Sequence, residues 1–130
     1  MALIVQKYGG TSVGSPERIL AVAEKVARQR AAGDDMVVVV SAMSGETDRL
    51  IKLAKSVNSD APARELDVLI STGEQVTIAL LSIALKDMGA DAKSYLGFQI
   101  KIATDNAFGK ARITGIESEK MLQDLKNGRV

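Results

Sequence analysis

Apolar residues along this chain recur with two periods, and the switches between them lay out a strand, a helix and a second strand near the N-terminus. Leu3-Ile-Val-Gln-Lys7 is a short apolar run that ends on a lysine and enters a glycine turn, as a strand end does. From Pro16 to about Ala32, Ile19, Leu20, Ala23, Val26 and Ala27 mark one side of a surface helix, which Gly33 stops. Ser15 suits the N-cap and Pro16 the first helical position. Met36 to Val40 is a continuous apolar run, β-branched from Val37 and without alternation, the pattern of a parallel strand covered on both faces. Strand, helix and strand make a βαβ unit.

Downstream, Ser41 to Thr47 reads as a small-residue loop, with Thr47-Asp48 capping a helix to about Val57. A polar linker covers Asn58 to Pro62. Ala63 to Ile70 is helical, Ser71-Thr72-Gly73 interrupts it, and a second helix runs from Glu74 to Met88. That second helix is apolar on most of its circumference, which predicts burial between neighbours. Ala92 to Leu96, Gln99 to Ala103 and Arg112 to Thr114 are short strand candidates. Glu117 to Lys126 is a last helix with Met121, Leu122 and Leu125 inward, stopped by Asn127-Gly128. The expected class is α/β, an open and mainly parallel sheet with helices on both faces, built by residues 1–130 as one domain or part of one.

Composition narrows the chemistry. With 46% hydrophobic residues among 130, the chain can bury a modest core. A formal charge of +1 and 3% aromatics give neither a basic patch nor a stacking platform, so nucleic acid is not an expected partner. Cysteine and histidine are both absent, which leaves lysine, arginine, carboxylates, hydroxyls and backbone to do any chemistry. No basic n-region precedes Leu3, and the longest apolar stretch, Val76 to Leu85, is shorter than the roughly 20 residues that span a bilayer. A soluble, cytoplasmic protein with no membrane partner is expected.

Chemistry concentrates at Lys7-Tyr8-Gly9-Gly10-Thr11-Ser12. A strand–turn–helix joint of this kind sets a cation, unblocked backbone N–H groups and a helix N-terminus around one point, as a phosphate chain requires. It is neither a dinucleotide fingerprint, because Thr11 follows the glycine pair, nor a P-loop, because the lysine precedes the glycines. A solvated lysine beside an ordinary turn is the plainer alternative. Right-handed connection brings the loop after the first strand and the loop Ser41 to Thr47 to the same sheet edge, where ligands collect in open α/β sheets. Read on residues alone, Thr47 is equally a helix cap, and Glu74 equally a first-turn acid answering the helix dipole. Asp34-Asp35, Lys52, Lys55, Glu117, Glu119 and Lys120 read as solvated charges.

Three ordered motifs carry a family resemblance: Lys7-Tyr-Gly-Gly-Thr-Ser-Val-Gly14, Val37-Val-Val-Val-Ser41-Ala-Met-Ser-Gly45-Glu-Thr47-Asp48, and Ser71-Thr-Gly73-Glu74-Gln75. Together they resemble the N-terminal signatures of the aspartate kinases, within the amino acid kinase family, and Phe108-Gly-Lys-Ala-Arg112 extends the likeness. The resemblance implies ATP and magnesium as cofactors and L-aspartate as substrate, with 4-phospho-L-aspartate as product at the entry to lysine, threonine and methionine synthesis. By it, Lys7 is catalytic, Tyr8, Gly9, Gly10, Thr11 and Ser12 join Lys7 around the nucleotide, and Ser41, Thr47 and Glu74 face the amino acid. No residue is assigned to metal, and the role of Arg112 stays open.

Aspartate kinases also carry a second half with a Gly-Gly-Ser-Asp motif and adenine-binding loops, followed by regulatory domains, and these segments are absent. The chain is therefore expected to be an N-terminal portion, inactive alone, and either a homo-oligomer or in need of its C-terminal half. Another amino acid kinase, for glutamate, acetylglutamate or a nucleotide, is an alternative that Ser-x-x-x-Gly-x-Thr and Thr-Gly-Glu disfavour. A non-catalytic assembly module is a third.

Overall fold

The computed structural model describes all residues from Met1 to Val130. Strand β1 (Leu3–Tyr8) leads through the glycine turn to helix α1 (Pro16–Ala31), and β2 (Asp35–Val40) returns beside β1. The two strands are parallel, in a register that runs from Leu3 opposite Asp35 to Tyr8 opposite Val40. Ser15 caps α1 in extended geometry, its side chain accepting from the Arg18 N–H at 3.3 Å, and Gly33 takes φ +107° beyond the helix end. Helices α2 (Glu46–Val57) and α3 (Ala63–Asp87) follow, then a small antiparallel pair, β3 (Ala103–Thr104) and β4 (Ile113–Gly115), and α4 (Glu119–Lys126). The fold is α/β with a parallel sheet.

The core joins one stripe of α1 (Ile19, Val22, Ala23, Val26) to one stripe of α3 (Leu81, Ala84, Leu85) over Met36. Ile4, Tyr8, Val38 and Val40 back this cluster from the same sheet face. The opposite face is open in this chain, with Leu3, Val5 and Val39 exposed, so the expectation that β2 is covered on both faces holds only for its core side.

The largest departure from the sequence reading is α3, which is one helix rather than two. Ser71 and Thr72 turn their hydroxyls back onto the carbonyls of Val68 and Leu69 at 2.8 and 2.7 Å, so neither competes for a helix end. Gly73 costs about 1 kcal/mol against alanine inside a helix, too little to break one held by packing on both neighbours. Its α3 face of Gly73, Thr77, Leu81, Ala84 and Leu85 is buried, whereas Val76 and Ile83 on the far side are exposed, so burial is one-sided. As a single helix, α3 reaches the length and apolar content of a membrane span, but its buried stripe belongs to the core described above.

The later strand candidates also shift. Ala92 to Leu96 forms no strand; instead Val130 donates to the Asp91 carbonyl at 2.8 Å and accepts from the Lys93 N–H at 2.9 Å. Gln99 to Lys101 is a turn with Lys101 at φ +46°, and pairing is limited to β3 and β4. In α4, Leu125 is inward as expected, but Leu122 is exposed. A carboxylate anchors this helix: Asp124 accepts from Tyr95 Oη, from Arg129 Nη1 at 2.6 Å and from Lys93 Nζ at 3.1 Å.

Candidate active site

The carboxyl ends of β1 and β2 bring the two loops together. Ser41 donates its N–H to the Tyr8 carbonyl at 3.1 Å, and Ser44 donates to the Gly10 carbonyl at 3.2 Å. Within the first loop the Ser12 N–H closes onto the Gly9 carbonyl at 3.0 Å, while the amides of Gly9, Gly10 and Thr11 have no partner in the chain. Gly10 is required by this approach, since a Cβ there would stand 2.8 Å from the Ala42 carbonyl oxygen. Gly9 faces open space.

Lys7 shares the exposed face of β1 with Leu3 and Val5, and its ammonium enters none of the chain's ion pairs. Free amides and a free cation at one strand end suit phosphate oxygens, so the donor set fits the phosphate chain of a nucleotide. Thr11 and Ser12 keep exposed hydroxyls, and the Thr11 carbonyl accepts from Arg18 Nη1 at 3.0 Å. Tyr8 differs. Its ring lies on the core side, its hydroxyl donates to Gln6 Oε1 at 2.7 Å, and burial pushes the phenol's pKa up. Only the main chain of Tyr8 reaches this edge.

Beside the turn lies a small polar cavity of about 350 Å³, lined by Gly10, Ser41, Ser44, Thr47, Asp48 and Glu74 among others. All three residues assigned to the amino acid by resemblance thus meet in one place, with Gly10 as the link to the Lys7 turn. The structure also removes the local explanations for two of them. Helix α2 begins at Glu46 after Gly45 in left-handed geometry, with no side-chain cap, so Thr47 lies inside the first turn and caps nothing. Glu74 is in the middle of α3, where it answers no helix N-terminus.

Electrostatics sort the carboxylates. Arg49 grips Glu46 through two bonds of 2.7 and 2.9 Å and lowers the Glu46 pKa, whereas Asp48 and Glu74 make no ion pair or hydrogen bond through their side chains. The Thr47 and Asp48 amides, at the uncapped start of α2, likewise lack partners in the chain. The cavity therefore offers donors at the start of α2 and the free carboxylates of Asp48 on α2 and Glu74 on α3, a match for a small zwitterion. Sequence reasoning passed over Ser44 and Asp48 as site residues, although both lie inside the second motif. Arg112 sits in the β3–β4 hairpin, bonded through its backbone to Asp105, and lines neither this cavity nor the larger groove described next.

That groove, of about 670 Å³ and mainly apolar, runs along the free edge of β2 between α3, Phe98 and Leu125, with Glu74 at its border. No group of three or more acidic, histidine or cysteine side chains is gathered to hold a metal ion.

Two polar loops meeting at the carboxyl edge of a parallel α/β sheet define the class, and the amino acid kinase family model matches residues 2–130. The chain belongs to the amino acid kinase family. It is 63% identical over its whole length to the aspartate kinase of Pseudomonas putida and 48% identical to aspartokinase 2 of Bacillus subtilis, covering 32% of each. It thus spans about a third of the length of these curated relatives. The crystal structure of aspartate kinase from Synechocystis superposes with a TM-score of 0.80 at 43% identity, over 98% of this chain and 21% of that one. E. coli aspartokinase III, solved in complex with aspartate and ADP, shares the fold at 18% identity with a TM-score of 0.80, over 98% of this chain and 39% of that one.

Proposed function

We propose that this chain supplies the lysine, phosphate-turn and amino acid side of an aspartate kinase, which phosphorylates the side-chain carboxylate of L-aspartate with ATP. The observation that carries the reading is the meeting of Ser41, Thr47 and Glu74 in one cavity that shares Gly10 with the Lys7 turn. Identity of 63% to an aspartate kinase supports the choice of substrate.

In this reading Glu74 holds the α-ammonium group of aspartate, and Thr47 with the uncapped α2 amides holds a carboxylate. The acceptor carboxylate has a reference pKa of about 3.9 and is already ionised near neutral pH, so a chain without histidine needs no general base. ATP, with magnesium on its phosphates, supplies the phosphoryl group. Lys7 and the free amides of Gly9, Gly10 and Thr11 neutralise charge that spreads over the phosphoryl oxygens, so catalysis is positioning and electrostatic stabilisation. A cytoplasmic setting accompanies this reading.

The test is a coupled ADP-release assay on a full-length kinase that carries these 130 residues at its N-terminus, with aspartate, glutamate and acetylglutamate as acceptors. Turnover with aspartate at least a hundredfold above the others is expected. Preference for either of the others would overturn the assignment.

A further inference from the structure

Gly73 lies in the middle of α3, buried, at a position where helix propensity alone favours alanine. A Cβ at Gly73 would stand 2.9 Å from the Cβ of Ala42, with Glu46 Cγ at 3.5 Å and Leu50 Cδ1 at 3.6 Å. The Ala42 methyl is not the far end of a flexible side chain, so the contact is relieved only by moving backbone. Ala42 is itself buried and held from its other side, because its carbonyl oxygen is the atom a Cβ at Gly10 would strike. Ala42 is thus a wedge between two glycines, one on each side of the loop that bears Ser41 and Thr47.

We infer that Gly73 is a positioning residue that sets the distance between Glu74 on α3 and the Ser41 to Thr47 loop, and so fixes the width of the amino acid cavity. This rests on the reading that the cavity holds the amino acid. Any side chain at Gly73 pushes the loop from α3 and parts Glu74 from Thr47, while Lys7 and the Gly9–Ser12 turn on β1 lie on the far side of the wedge. The defect therefore falls first on the amino acid side, and the Gly10 turn, which abuts the Ala42 carbonyl, feels it second.

The experiment is a double-mutant cycle of Gly73→Ala and Ala42→Gly in a full-length kinase carrying this chain, with Glu74→Gln beside it. Gly73→Ala is expected to raise the KM for the amino acid at least tenfold, and the KM for ATP by a smaller factor. Adding Ala42→Gly should bring the amino acid KM back to within about threefold of wild type, because it removes the methyl that collides. An amino acid KM within twofold of wild type for Gly73→Ala overturns the inference, as does a folded double variant no better than the single. If Gly73→Ala does not fold, a folded double variant supports the wedge, and a double variant that also fails overturns it. Glu74→Gln separates the two levels: if it raises the amino acid KM while Gly73→Ala does not, the spacing role alone falls. If neither variant moves that KM, the cavity assignment falls with it.

Discussion

The Ser41 amide donates to the Tyr8 carbonyl at 3.1 Å, one residue beyond the last registered strand pair, Tyr8 with Val40. This bond carries the parallel ladder past the strands and into the loops. It ties the Gly9–Ser12 turn to the Ser41 to Thr47 loop, although more than thirty residues separate them in sequence.

Lys7 points from the open face of β1 with no carboxylate to neutralise it. In a full-length kinase, Lys7→Ala is expected to lower kcat by at least about a hundredfold, roughly 2.7 kcal/mol of barrier, while the KM for aspartate changes less than about threefold. Steady-state kinetics decide it. A kcat within about threefold of wild type removes Lys7 from the reaction.

Glu74 has no intramolecular partner and no helix terminus to answer, so its charge is available to a ligand. Glu74→Gln keeps the shape and loses that charge. The KM for aspartate should rise about tenfold or more, with the ATP constant within about twofold. An unchanged aspartate constant would show that an α-ammonium group does not sit there.

The adjacent glycines of the turn should respond in opposite directions. Gly10→Ala forces a Cβ to 2.8 Å from the Ala42 carbonyl oxygen and is expected to cost about 1–3 kcal/mol of stability. Gly9→Ala meets nothing within 4 Å and is expected to be neutral or to add up to about 1 kcal/mol by restricting the unfolded chain. Thermal melts of the two variants test the contrast; equal effects would mean that the close approach of the loops is not a constraint.

Asp124 anchors α4 through Tyr95, Arg129 and Lys93, and the bonds from Tyr95 and Arg129 lower its pKa from 3.8 to about 2. A carboxylate with a depressed pKa in the folded state stabilises the fold fully above its unfolded value, and the contribution fades as pH falls through the folded value. The melting temperature should therefore drop between about pH 4 and pH 2. Asp124→Asn should be less stable than wild type at neutral pH, with the gap closing across that same window. A gap that is constant with pH would assign the loss to packing rather than charge.

What the sequence determined by itself was local chemistry. Ser15-Pro16 and Gly33 bound α1, and the apolar run Met36 to Val40 made a strand, because each signal is written within a few residues. Two readings failed where a helix start or break written in the residues was not the one the chain adopts. Ser71-Thr72-Gly73 resembles a helix break, yet its hydroxyls bond within the helix and Gly73 accepts Ala42, so α3 runs through. Thr47-Asp48 resembles a cap, yet α2 starts at Glu46. Those same corrections took Thr47 and Glu74 out of helix-capping roles. Only tertiary structure could do this, because the meeting of Ser41, Thr47 and Glu74 depends on how closely α3 approaches the second loop. That distance is set by the absence of a methyl group at Gly73, whose partner lies thirty-one positions away in the chain.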